Sequence, residues 1–154
     1  MLRFPYLAEP LKGPPPPSLA PTASERLRPL AAVRIIGPAG QSRFFPRAVL
    51  DSGADDTVFP LDVARFIGVS LVSSGHQIRW RGQHYPLHFG SVELELQDDT
   101  GAARRWPGMV AFSPAPLRYP ILGQAGCLQF YDSLFRGHDH VVELQTNPIY
   151  PGTC

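Results

Sequence analysis

The chain has 154 residues, 44% of them apolar, and 14 Lys and Arg against 13 Asp and Glu leave a formal charge of +1. That length holds one domain with one core and is too short for two catalytic lobes, so chemistry that needs two similar halves has to come from an oligomer. The charges are scattered rather than gathered into a basic stripe, and no run approaches the roughly 18 apolar residues of a membrane span, so neither nucleic acid nor a membrane is an expected partner and the chain is expected to be soluble.

Eight of the 18 prolines fall in residues 1–29, including the run Pro14–Pro17. This stretch predicts a proline-rich arm of extended geometry, unable to form a helix or a central strand, lying along the body or a partner. Prolines and Glu9 interrupt Met1–Pro10 before the apolar stretch of a signal peptide could form. Cys127 and Cys154 cannot build a disulfide framework, so a reducing, cytoplasmic location is expected.

Residues 30–146 carry short apolar runs separated by Gly, Pro and Asp, which predicts an all-β domain, followed by a tail over residues 147–154. Ala31–Ile36 and Phe44–Leu50 read as strands joined through Gly37–Gln41, a hairpin that delivers the chain to Asp51. A short helix is predicted after Pro60, with Leu61, Ala64 and Ile67 on one face and Gly68 as the stop. Gln77–Tyr85 reads as an exposed hairpin with Gly82 at its tip. Val92, Leu94 and Leu96 alternate with Glu93, Glu95 and Gln97, giving a strand with one buried and one wet face before a turn at Asp98–Gly101. A second short helix is expected over Gln124–Tyr131, and Leu134–Leu144 predicts two strands around a glycine-containing turn.

Two stretches carry chemistry. In Val49-Leu50-Asp51-Ser52-Gly53-Ala54 an apolar strand ends in an acid, followed by a small hydroxyl residue and glycine. That arrangement presents a carboxylate at a tight loop whose backbone amides can face it. About 70 residues later, Tyr119-Pro120-Ile121-Leu122-Gly123-Gln124 predicts a second buried strand able to run beside the acid loop, with Gly123 admitting another backbone closely. Together the two segments resemble the retropepsin family, the retroviral proteases and the similar single-domain aspartic peptidases that bacteria encode. The resemblance spans roughly Leu30 to Leu144.

It implies a single-lobe acid-protease β-barrel with one or two short helices, acting as a homodimer and an aspartic endopeptidase on peptide or protein substrates, with no cofactor or metal. On the matching positions Asp51 becomes the catalytic acid, and Ser52 bonds across the two chains beneath the site. Gly53 offers its carbonyl to bound peptide, Asp55 and Asp56 meet its backbone and side chains, and Val58 and Ile121 help bind it. Ala54 and Thr57 support the loop. Gln77–Tyr85 lies where the family carries its flap, so Arg79, Trp80, Arg81, Gly82 and Gln83 become flap residues, bulkier and more basic than the glycine-rich retroviral ones. Retroviral members often place Arg after the second-strand glycine to pair with the acid at the Asp55 position; here Gln124 stands there, and Arg118 is the expected substitute.

Hydrolysis by this route needs two carboxyls, one taking a proton from water and one protonating the carbonyl oxygen. The only other Asp-Ser/Thr-Gly, Asp99-Thr100-Gly101, follows polar Gln97 and Asp98 and reads as a surface turn, so the second acid must be Asp51 of another copy. An alternative from another class is a catalytically silent dimeric peptide-binding module of the same fold. A phosphotransfer enzyme with an aspartyl nucleophile fits less well, because Gly53 stands where such enzymes commonly carry a second acid. His76, His84, His88, His138 and His140 read as solvated turn residues rather than zinc ligands, and Cys127 as a small core residue.

Overall fold

A computed structural model of the protein describes residues 1–153. Cys154 lies outside the described residues. The chain is mostly strand: β1 (Leu2–Pro5), β2 (Leu7–Pro10), β3 (Glu25–Arg28), β4 (Leu30–Ile36), β5 (Ser42–Leu50), β6 (Val58–Pro60), helix α1 (Leu61–Ile67), β7 (Val72–Trp80), β8 (Gln83–Gln97), β9 (Ala103–Ser113), β10 (Ile121–Leu122), β11 (Tyr131–Arg136) and β12 (Val141–Thr146). No helix is long and apolar enough to cross a membrane among the described residues.

The main sheet runs β4-β5-β10-β6-β9-β8-β7, and a further β4–β8 pairing returns it to its first strand. The length of β8 makes that closure feasible: its first half pairs with β7, its second half with β4, and β9 runs along its other side. The alternation predicted for Val92–Gln97 holds, with Val92, Leu94 and Leu96 buried and Glu93 and Gln97 exposed. These apolar faces enclose a core containing Ile35, Phe59, Ile67, Leu94, Leu122 and Phe112. Trp106 is fully buried there, and its indole N–H donates to the Gly126 carbonyl at 2.8 Å, so a large apolar ring is buried without stranding its one donor. Cys127 packs into the same core, and burial pushes its thiol well up, as befits a packing residue.

The helix after Pro60 forms as predicted, with Pro60 at the N-cap and Gly68 closing it at φ 72°. The second helix does not form. Only Leu128–Phe130 make a single 3-10 turn, and Tyr131 already begins β11. The backbone of Ala125 is spent elsewhere, its amide donating to the Asp55 carbonyl at 2.8 Å and its carbonyl accepting from the Thr57 amide at 3.2 Å. Gly126 then turns left-handed at φ 87°, which ends any helical run.

The proline-rich segment is also more than an arm. Strand β1 pairs antiparallel with β12 in a three-stranded sheet, β1-β12-β11, and buries Leu2 and Phe4 in the main core. Proline dominates the pattern of residues 1–29 as a whole, whereas the four residues of β1 need only an edge position, which proline tolerates. Strands β2 and β3 form a separate hairpin whose long connection carries the proline run. Arg47 on β5 ties this hairpin down by donating to the Ala8 carbonyl at 3.3 Å. At the other end the tail also packs onto the body, with Tyr150 donating its hydroxyl to the Arg105 carbonyl at 2.8 Å.

Asp98 joins these parts. One carboxylate oxygen accepts from the Thr100 amide at 2.9 Å, the Thr100 hydroxyl at 2.6 Å and the Ala102 amide at 3.1 Å, while the other accepts from the Arg3 amide of β1 at 3.1 Å. Burial works against the charged form, but the bonds from Thr100, Arg3 and Ala102 outweigh it and hold the carboxyl below the usual range. Asp98→Ala is expected to cost about 1–3 kcal/mol by stranding these donors, measured by chemical denaturation at neutral pH. Because the folded-state value is lowered, this stability is fully present above the ordinary carboxylate range and lost as pH falls through the Asp98 value, so the variant's penalty shrinks in acid.

Candidate active site

The acid loop is held by a three-strand crossing. Strand β5 leads into Asp51, β6 leads away from the loop, and the two-residue β10 lies between them, parallel to β5 and antiparallel to β6. Asp51 is half-buried at the end of β5. Its amide donates to the Leu122 carbonyl at 3.0 Å, and its Oδ1 accepts from the Gly53 amide at 3.0 Å. The Ala54 amide donates to the Asp51 carbonyl at 3.2 Å, closing a tight turn around an aimed carboxylate. Ser52 and Gly53 are exposed at the outside of this turn.

Thr57 fastens the loop from behind. Fully buried, it accepts the Gly123 amide on its hydroxyl at 3.2 Å and lies 3.5 Å from the Gly123 carbonyl, and its own carbonyl takes the Ala111 amide of β9 at 2.8 Å. Gly123 is indispensable to this contact on grounds of space: a Cβ there would collide with the Asp56 carbonyl and sit 2.8 Å from that of Ala54. The expected substitute brace, Arg118, is engaged elsewhere, donating to Glu9 at 2.9 Å and stacking 5.2 Å from the Tyr119 ring. Gln124 holds the loop itself, donating from its side chain to the Ser52 carbonyl at 2.9 Å and from its amide to the Ala54 carbonyl at 2.9 Å. An uncharged side chain thus braces the backbone of the loop rather than the carboxylate of Asp55.

Beside the loop lies a cavity of about 210 Å³ lined by Ala54, Asp55, Asp56, Val58 and Ile121 on one side and by Gln77, Ile78, Arg79 and Leu87 of the β7–β8 hairpin on the other. Asp51, Ser52 and Gly53 are not among its lining residues. The hairpin turns through Arg81 and Gly82, at φ 50° and 79°, between the paired residues Trp80 and Gln83. Left-handed conformation at both central positions suits the twist of a two-residue hairpin, so Gly82 belongs at the tip, as predicted. Of the predicted flap residues only Arg79 lines the cavity; Arg81, Gly82 and Gln83 do not, and Trp80 packs against the apolar group Val58, Leu87, Ala111 and Ile121. Leu87 escaped the sequence reading, which placed Gln124 beside the acid loop but gave the bracing role to Arg118. The offset set by the turn, pairing Gln77 with Pro86, was the available signal for Leu87.

Burial holds the Asp56 carboxyl above the usual range, the charge of Asp55 adds to this, and His76 partly opposes it. With its folded-state value above the unfolded one, the folded chain binds more protons, and stability falls as pH rises from the ordinary carboxylate range through the Asp56 value. Asp56→Asn is therefore expected to melt higher than wild type at neutral pH and to lose that advantage near pH 3, below the ordinary carboxylate values of about 4. Calorimetry at the two pH values checks both limbs. No group of three or more His, Cys, Asp or Glu side chains able to hold a metal occurs among the described residues.

Comparison with models of known protein families finds no match, and comparison with curated proteins finds none either.

Proposed function

We propose that the chain is an aspartic endopeptidase of retropepsin type, hydrolysing peptide bonds between two Asp51 carboxylates supplied by the two chains of a homodimer. The observation that carries the reading is the aimed Asp51 carboxylate, fixed by the Gly53 amide in a loop braced by Thr57, Gly123 and Gln124.

In this reading one Asp51 is ionised and takes a proton from water, whose oxygen attacks the peptide carbonyl carbon. The other is protonated and passes its proton to the carbonyl oxygen, and collapse of the tetrahedral species returns a proton to the leaving amine. Two carboxyls so close share one proton because both cannot ionise cheaply. The exposed Ser52 is free to bond across the two-fold axis, and the cavity between the acid loop and the β7–β8 hairpin is the groove for a substrate side chain. Pairing is favoured by β11, an edge strand carrying exposed Leu134 and Phe135.

The test is digestion of a mixed peptide library between about pH 4 and pH 7, a window around carboxylate titration, by wild type and Asp51→Asn, with sedimentation of the same samples. Cleavage lost in the variant by a sedimenting dimer supports the reading. A monomer that still cleaves, or cleavage that survives in Asp51→Asn, overturns it. A dimer that binds the peptides without cutting them is the silent binding module.

A further inference from the structure

The proline-rich N-terminal segment, which no sequence motif explains, builds one wall of a second pocket. Its β2–β3 hairpin supplies Glu9, Lys12, Arg26 and Arg28, the tip of the β7–β8 hairpin supplies Arg81, and the loop before β10 supplies Arg118, around a space of about 430 Å³. Five cations therefore face a single carboxylate in a chain whose overall charge is only +1. Glu9 displays what the pocket accepts: its carboxylate takes a hydrogen bond from Arg118 at 2.9 Å and another from Arg28 at 3.3 Å. Lys12, Arg26 and Arg81 make no ion pair among the described residues. Trp80 also lines the pocket, and its indole N–H is buried without an acceptor among the described residues.

We infer that this pocket binds an acidic stretch of polypeptide, its Asp or Glu carboxylates pairing with Arg26, Arg81 and Lys12 as Glu9 pairs with Arg28 and Arg118. Guanidinium groups match carboxylates in charge and in planar geometry, and such charge-assisted bonds are the strong ones. A nucleic acid is disfavoured because the cations form one pocket rather than a stripe along which a phosphate backbone could track. The use of the pocket as a docking site that brings an acidic segment of substrate beside the cleft rests on the peptidase reading. The binding itself does not, and it gives the N-terminal hairpin a role that the acid loop does not require.

The experiment uses full-length Asp51→Asn protein, which cannot consume the probe, and a fluorescein-labelled peptide of alternating Glu and Gly followed by anisotropy. The Glu peptide is expected to bind, its Gln counterpart to bind at least tenfold more weakly, and binding to weaken as salt shortens the Debye length from about 30 Å at 0.01 M to about 8 Å at 0.15 M. Arg26→Gln and Arg81→Asn are each expected to weaken it roughly tenfold, the scale of one charge-assisted bond. Arg26 is exposed on the hairpin, and Asn tolerates the left-handed position of Arg81, so both variants should melt as the parent does. Equal binding of the Gln peptide, unchanged binding in the double variant, or tighter binding of oligothymidylate than of the Glu peptide overturns the inference. Binding by Asp51→Asn combined with no cleavage by wild type leaves the pocket standing and removes the peptidase; cleavage without Glu-peptide binding does the reverse.

Discussion

An Asp51→Asn variant is expected to lose peptide cleavage by at least about 10³-fold while melting at the wild-type temperature. Asparagine keeps a carbonyl oxygen where Asp51 Oδ1 now accepts the Gly53 amide, so the turn retains its internal bond. It cannot take a proton from water at any accessible pH, nor give one to the carbonyl oxygen. Positioned acid–base groups contribute about 10²–10⁴-fold each, and in a homodimer one substitution removes both members of the pair. Product analysis by mass spectrometry beside a thermal melt separates this outcome from unfolding. A variant that melts normally and cleaves at more than a tenth of the wild-type rate would remove Asp51 from the chemistry.

Gly123→Ala carries the second large effect, and here stability and activity fall together. The added methyl would collide with the Asp56 carbonyl and press on that of Ala54, both of them backbone atoms of the acid loop, the latter held by the Gln124 amide at 2.9 Å. Nothing flexible lies there to yield. Overpacking of this kind costs about 3 kcal/mol or more, which lowers the melting temperature of a domain this size by roughly 6–12 °C. Gly40→Ala is the informative control. Gly40 has φ 85°, but a Cβ added there would meet no heavy atom within 4 Å, so its penalty is the backbone preference alone, about 1 kcal/mol. A Gly123→Ala protein as stable as the Gly40 variant would mean that the acid loop moves freely away from β10, contrary to the bracing on which the site depends.

What the sequence by itself determined lies in the local signals. The β4–β5 hairpin, the alternation of Val92–Gln97 and the helix between Pro60 and Gly68 follow from side-chain period and from the backbone limits of proline and glycine, which act within a few residues whatever the rest of the chain does. The acid turn at Asp51–Ala54 was legible for the same reason, since a short polar loop after an apolar strand has few conformations open to it. Tertiary structure decided the rest. Gln124–Tyr131 carries a helical pattern, yet Ala125 gives its amide and carbonyl to the acid loop some 70 residues earlier, and hydrogen-bonding groups so used cannot also build a helix. Arg118 had the charge to brace Asp55, but Glu9 of the N-terminal hairpin claims it, and an ion pair spanning 109 residues has no signature in local spacing. Leu2 and Phe4 look like part of a proline-rich arm until β12 offers them a partner strand and a core, because burial is a property of what the rest of the chain places alongside.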